Sequence, residues 1–331
     1  MKVVRLHAHG ELRLHDEPRP AIVAGEAVVR VKAVGVCGSD LHWFAEGEIG
    51  DAKLEHPLVL GHEFAGEMED GQRVAVDPAI PCRHCEFCER GHPNLCENMI
   101  FAGHGETDGA LREYVSYPPR CLFPLSDSLS YADGAMLEPL GVAIHAVDLG
   151  KLHAGMSVGV FGCGPIGLLI VQLARLSGAS NIVATDILPH RMEVAKSFGA
   201  DKAILAETGH ELDEIRAATG GRGVDVVFEA AGEQAAVNVS VAAVVPGGKV
   251  ILVGIPTDDH TLFQASTARR KGLTIKLVRR MKYTYPRAIE LVSKRLVDVR
   301  SLVTHRFPLE ETAEAFAVAQ RREGLKIIIE V

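Results

Sequence analysis

The sequence predicts an α/β protein in two parts, a doubly wound parallel sheet in the second half and a β-rich first half to which the C-terminus returns. Three observations carry this. From Ser157 onward short apolar runs alternate with helical stretches, the pattern of βαβ units. The run Val158-Gly159-Val160-Phe161 leads straight into the turn Gly162-Cys163-Gly164-Pro165-Ile166-Gly167. Before residue 130 or so the chain reads instead as short strands and turns punctuated by Gly and Pro.

In chain order, Ala27 to Val34 alternates well enough for a strand. The second half offers strands at Val158 to Phe161, Ile182 to Thr185, Ala203 to Leu205, Val224 to Phe228, Val250 to Val253 and Leu273 to Leu277. Helices fill most of the gaps, which suits a complete doubly wound fold with right-handed crossovers. Past these strands, Pro286 opens a helix at its first position. The final run Lys326-Ile327-Ile328-Ile329-Glu330 needs a sheet to join, and the β-rich half is the natural place. The first domain is therefore expected to be discontinuous, over 1–141 and 281–331, with 142–280 as the second.

With 331 residues the chain is long enough for two cores, and 47% hydrophobic against 24% charged residues disfavours disorder. A net charge of −8 without a Lys/Arg block argues against binding a phosphate backbone. The segment Met1-Lys2-Val3-Val4-Arg5 lacks a signal-peptide apolar core, and Val158 to Ala174 is interrupted by Gly162, Gly164, Pro165 and Gly167. No membrane or nucleic-acid partner is expected, and a cytoplasmic protein is.

The glycine turn follows a strand and opens a helix, where backbone can approach a pyrophosphate and the helix N-terminus favours it. Asp186 stands at the end of the next strand, where a ribose-binding carboxylate belongs. Such an Asp accepts from both ribose hydroxyls and repels a 2′-phosphate, so NAD is expected over NADP. Arg191 either flanks the adenine or is a solvated helix residue. Cys163 reads as a small residue in a crowded turn.

Seven cysteines include four between Cys82 and Cys96, spaced as Cys82, Cys85, Cys88 and Cys96. Four thiolates on one loop make a closed tetrahedral zinc site, structural because no position is left open. Reduced, unligated thiols are the bland alternative. Gly35-Val36-Cys37-Gly38-Ser39-Asp40-Leu41-His42 and Gly61-His62-Glu63 put further ligands beside glycines, in turns where they can converge. Taken alone, Cys37 reads as a buried small hydrophobe and His62 as a satisfied core histidine.

Together these motifs, with Gly47 to Asp51, Leu60-Gly61-His62-Glu63, Leu137-Glu138-Pro139-Leu140 and Val303 to Leu309, resemble the zinc-containing medium-chain dehydrogenases. Within them the likeness is to the polyol branch, the sorbitol (L-iditol 2-) and xylitol dehydrogenases, over nearly the whole chain. It implies a GroES-like catalytic domain beside a Rossmann domain. It also implies a catalytic zinc on Cys37, His62 and Glu63, with Glu138 either ligating or holding a metal-bound water. Ordinary alcohol dehydrogenases of this superfamily place a cysteine at that last position, so Glu138 points to polyols. By residue pattern alone Glu138 could equally cap a helix or pair with a surface cation.

The implied nucleotide set is Gly162, Gly164, Pro165, Ile166, Gly167, Asp186, Arg191, Val253 and Ile255. An open-sided metal polarises a substrate hydroxyl so that hydride can leave to the nicotinamide. The resemblance implies that Ser39 then relays the proton through the cofactor ribose to His42. Local sequence also offers Ser39 as the cap of a helix beginning near Asp40, a role that does not exclude the relay. Trp43, where animal sorbitol dehydrogenases carry tyrosine, and Phe101 supply apolar walls. Arg279 is the expected substrate arginine, in a segment one residue longer than its animal counterpart. The stretch Gly66 to Val74 is about ten residues shorter than the family's usual loop.

The expected protein is thus an NAD-linked, two-zinc polyol dehydrogenase, a homotetramer or dimer. An L-threonine or plain secondary-alcohol dehydrogenase shares nearly all these ligands. A zinc-binding interaction protein of the same fold is the reading from outside enzymes, and an open metal position beside a nucleotide fingerprint argues against it.

Overall fold

The computed structural model describes residues 1–21, 23–206 and 209–331. These form two compact units, Met1–Gly141 with Lys282–Val331, and Val142–Met281.

The first unit opens with a hairpin of β1 (Lys2–Ala8) and β2 (Glu11–Asp16). Next come β3 (Ala27–Gly35), α1 (Gly38–Glu46) and the small hairpin of β4 (Glu48–Ile49) and β5 (Ala52–Lys53). Antiparallel β6 (Glu63–Met68) and β7 (Arg73–Val76) follow, then β8 (Ala79–Ile80), the one-turn α2 (Glu86–Glu89) and β9 (Ile100–Phe101). After β10 (Tyr114–Tyr117) and β11 (Leu122–Pro124) the chain turns helical, in α3 (Tyr131–Ala135) and α4 (Leu137–Gly150). Ser130 caps α3 by accepting from the Asp133 N–H at 3.1 Å, and Arg300 donates to Asp133 at 2.7 Å. That clamp fixes the entry into α4 and so the position of Glu138 in its first turn.

The second unit is a six-stranded sheet of β12 (Ser157–Phe161), β13 (Asn181–Asp186), β14 (Lys202–Leu205), β15 (Val224–Glu229), β16 (Val244–Leu252) and β17 (Thr274–Leu277). All pairs are parallel, in the order β14-β13-β12-β15-β16-β17. The crossovers carry α5 (Pro165–Leu176), α6 (Pro189–Ser197), α7 (Glu211–Ala218), α8 (Gln234–Ala243) and α9 (Ala265–Lys271). Every residue of β12 is buried, as a central parallel strand requires. Burying Val158, Val160 and Phe161 there contributes about 1.5–3 kcal/mol each. The order reverses beside β12, so the crevice outside the carboxyl ends of β12 and β15 is the place for a ligand. β16 begins at Val244, earlier than its apolar run alone indicates.

The chain then returns to the first unit with α10 (Tyr285–Ser293), β18 (Val303–Pro308), α11 (Thr312–Gln320) and β19 (Lys326–Glu330). α10 begins at Tyr285, so Pro286 is its second residue rather than its first. Burial favours this one-residue extension at Tyr285, whose hydroxyl donates to the Val76 carbonyl at 2.6 Å. β19 joins the main sheet of this unit, order β11-β7-β6-β3-β19-β18 with β10 on β3, and lies antiparallel to β3. The shared core runs from Val3 and Leu6 through Val31, Trp43, Leu60 and Phe64 to Phe316 and Ile329. Among the described residues no helix is long and apolar enough to cross a membrane.

Candidate active site

Three ligand atoms of the first unit meet. Cys37, His62 and Glu63 each offer one, all within 4.8 Å of one another. Cys37 stands just before α1 as its N-cap, and His62 and Glu63 lie where the chain enters β6. Gly61 takes φ 90° to make that entry, a left-handed conformation open to glycine. Cys37 therefore takes the cap that local sequence offered to Ser39, which lies inside α1.

Asp40 organises the group. Its carboxylate accepts from the Cys37 N–H at 2.9 Å and the Gly61 N–H at 3.2 Å, and stands 3.4 Å from His62 Nδ1. That contact turns the other ring nitrogen of His62 toward the cluster. Burial lowers the proton affinity of His62, but Asp40 and Cys37 outweigh it and raise the group well above its usual value. Burial likewise pushes Asp40 up, while His62 and the Cys37 and Gly61 amides bring it below the ordinary carboxylate range.

Glu138 is 4% exposed, which excludes the surface-cation reading. Burial pushes its carboxyl up to about 8, His62 and Lys326 opposing and Glu63 and Asp77 adding to the rise. These neighbours place it by the cluster, although it is not one of the three that converge within 4.8 Å. A Cys–His–carboxylate set with a further carboxylate beside it fits zinc with an open position. The borderline donors disfavour calcium or magnesium, which take oxygen.

Ser39 and His42 stand three residues apart on α1 and so share a face. His42 Nδ1 lies 3.1 Å from Glu46 Oε2. Phe101 packs beside His62, ring centroids 5.4 Å apart. Trp43 is 1% exposed and meets His104 edge-on at 5.7 Å, as a core residue does.

The four cysteines converge as well. Cys82, Cys85, Cys88 and Cys96 offer sulfurs within 4.8 Å of one another, and all seven cysteines are free thiols. Amides point at them: the Cys82 N–H donates to Cys96 Sγ at 3.3 Å, and the His84 amide draws Cys82 down to about 6. Four thiolates drawn into one group fit a closed zinc site.

In the second unit Gly162 (φ 93°) leaves no room for a side chain, since a Cβ would lie 2.5 Å from Ala231 N. At Gly167 a Cβ would lie 1.8 Å from the Gly162 carbonyl oxygen. Gly164 caps α5, Pro165 is its first residue and Ile166 its second. Asp186 ends β13, its Oδ2 accepting from the Cys163 N–H at 2.7 Å and its Oδ1 from Leu188 at 2.9 Å. Arg191, on α6, has its Nη1 3.5 Å from the same carboxylate. Val253 donates to the Glu229 carbonyl, and Ile255 packs on Gly232. Arg279 is exposed, two residues past β17 in this unit.

Sequence reasoning missed three residues. Glu229 braces the crevice loops, its carboxylate accepting from Ala231 and Gly232 at 2.8 and 2.9 Å. Asp40 and Lys326 brace the group of Cys37, His62 and Glu63. Only Asp40 left a signal, by falling inside the Cys37 to His42 motif.

Residues 165–294 match the zinc-binding dehydrogenase family and 23–127 the alcohol dehydrogenase GroES-like domain. Over 99% of its length the chain is 37% identical to a sorbitol dehydrogenase of Bacillus subtilis (strain 168), covering 97% of that protein. The chain belongs to the zinc-containing medium-chain dehydrogenases. A Gallus gallus sorbitol dehydrogenase is 36% identical over 98% of this chain and 95% of its own. Among solved structures of medium-chain dehydrogenases, an alcohol dehydrogenase from Thermus sp. ATN1 superposes with TM-score 0.92 at 30% identity, covering 100% of both chains.

Proposed function

We propose that this dehydrogenase oxidises the C2 secondary hydroxyl of a small polyol, such as sorbitol, L-iditol, xylitol or galactitol, to the ketose, reducing NAD+ to NADH and releasing one proton. The convergence of Cys37, His62 and Glu63 with buried Glu138 alongside carries the reading. Full-length likeness to sorbitol dehydrogenases supports the polyol class.

Cys37, His62 and Glu63 hold the catalytic zinc, and Cys82, Cys85, Cys88 and Cys96 a structural one. When bound, zinc supplies Lewis acidity toward the hydroxyl and NAD a hydride acceptor. Asp40 keeps the His62 ring in its ligating orientation. Glu138 would orient the substrate oxygen or a water beside the Cys37–His62–Glu63 group. Ser39 Oγ takes the hydroxyl proton and passes it toward His42, whose Nδ1 is steadied by Glu46. Phe101 gives the substrate an apolar wall, and Trp43 acts from the core by fixing the turn of α1 that carries His42. Arg279 is proposed to contact the substrate's outer hydroxyls.

The glycine turn with Pro165 and Ile166 seats the pyrophosphate at the start of α5. Asp186 binds the adenosine ribose, Arg191 lies along the adenine, and Val253 and Ile255 border the nicotinamide end. The enzyme is proposed to act in the cytoplasm as a homotetramer or dimer. NADH formation across sorbitol, xylitol, L-iditol, galactitol, L-threonine and simple secondary alcohols tests the substrate class. Polyols should give the highest kcat/KM, whereas preference for threonine or a simple alcohol would reject it.

A further inference from the structure

Three neighbouring strands, β6, β3 and β19, bring distant residues onto one face. In their register Gly35 on β3 stands directly opposite both Glu63 on β6 and Ile328 on β19. Lys326, two residues before Ile328, therefore projects to the same face as Glu63. Gly35 has no side chain to block the crossing, and a Cβ there would lie 2.1 Å from Glu63 Oε2. Lys326 Nζ reaches across and donates to Glu63 Oε1 at 2.8 Å, Oε2 at 2.7 Å and the Val36 carbonyl at 3.0 Å. Lys326 is 3% exposed and Glu63 1%.

A buried carboxylate without a partner is strongly unfavourable, so this ammonium makes Glu63 tolerable in the interior. It also engages both oxygens of a residue whose carboxylate faces Cys37 and His62. A cation and a dication on one carboxylate repel each other and divide its electron density. We propose that Lys326 is a positioning residue that shares Glu63 with the catalytic zinc, loosening the metal's hold on that ligand and keeping the metal more electrophilic. This rests on Cys37, His62 and Glu63 being the zinc ligands.

Two effects of opposite sign follow. Removing the charge leaves Glu63 wholly to the metal, so zinc binds more tightly. A more strongly donating Glu63 makes the metal a poorer Lewis acid, so turnover slows. A purely structural role for Lys326 would weaken both together, or neither.

The test uses the full chain with Lys326→Gln and Lys326→Met. Zinc affinity is read by chelator competition, thermal midpoints with and without zinc, and kcat and KM on the zinc-loaded enzyme. The expected result is zinc affinity raised about ten-fold or more, with kcat down about 10–100-fold and the KM for NAD unchanged. A variant that folds only when zinc is present also counts against the proposal, because metal binding then drives folding and the apparent zinc affinity falls. Unchanged or weakened zinc binding, or failure to fold with and without zinc, overturns the proposal. Failure of the underlying reading looks different: the chain with Lys326 intact and Cys37→Ser would then keep its full zinc content.

Discussion

His62 Nδ1 lies 3.4 Å from Asp40 Oδ1, and the same carboxylate accepts the amides of Cys37 and Gly61. One buried side chain thus sets the ring of one ligand and the backbone on which two ligands stand. Removing it with Asp40→Ala should weaken zinc binding at this site by about 10–100-fold. Metal titration of the stripped enzyme measures this, and the four-cysteine site should keep its zinc.

Space is as constrained as charge. Gly35→Ala would set a Cβ 2.1 Å from Glu63 Oε2, in a sheet whose backbone has little room to shift. The variant should keep its far-UV circular dichroism yet lose about one zinc per chain and most of its turnover. Metal analysis beside the spectrum separates this from misfolding.

In the second unit, Asp186 closes the glycine loop through the Cys163 N–H, and it is the residue proposed to bind the ribose. Replacing it with alanine should raise the KM for NAD about ten-fold or more, the scale of one lost charged hydrogen bond. It should also relax discrimination against NADP. Kinetics with both cofactors check this, and unchanged discrimination would remove Asp186 from the ribose site.

Arg222 holds the Asp225 carboxyl down to about 2, with the Ser157 N–H and hydroxyl adding to the effect. The unfolded value is about 3.9, so the unfolded chain takes up this proton first. The group therefore adds stability above about pH 4 that is lost as pH falls toward about 2. Asp225→Asn should lower the thermal midpoint at neutral pH by a small amount, since much of the pair is open to solvent screening. The gap from wild type should close between pH 4 and 2, and a gap independent of pH would assign the loss to packing.

Much of this was legible in the sequence, for physical reasons. Parallel strands buried on both faces must be written as apolar runs, so β12 and β13 stand out, and the turn at Gly162 tolerates only glycine. The motifs that carry the Cys37–His62–Glu63 and four-cysteine groups lie in short local stretches. Lys326 could not be found this way. Its partner is 263 residues distant, and a lysine at the start of an apolar strand looks like an ordinary solvated end. Trp43 was misleading in the opposite sense, since an aromatic beside a ligand motif invites a substrate role while its burial marks the core. The cap of α1 was misplaced because Ser is the better intrinsic cap, yet the geometry of Asp40 makes Cys37 the cap.

Zinc content, NAD binding and NADH formation from sorbitol, measured together on Cys37→Ser, decide whether the metal held by Cys37, His62 and Glu63 performs the oxidation. The wild-type chain should carry two zinc ions and the variant one, with NAD affinity kept and NADH formation abolished. Two zinc ions in the variant, or turnover that survives the substitution, would contradict it.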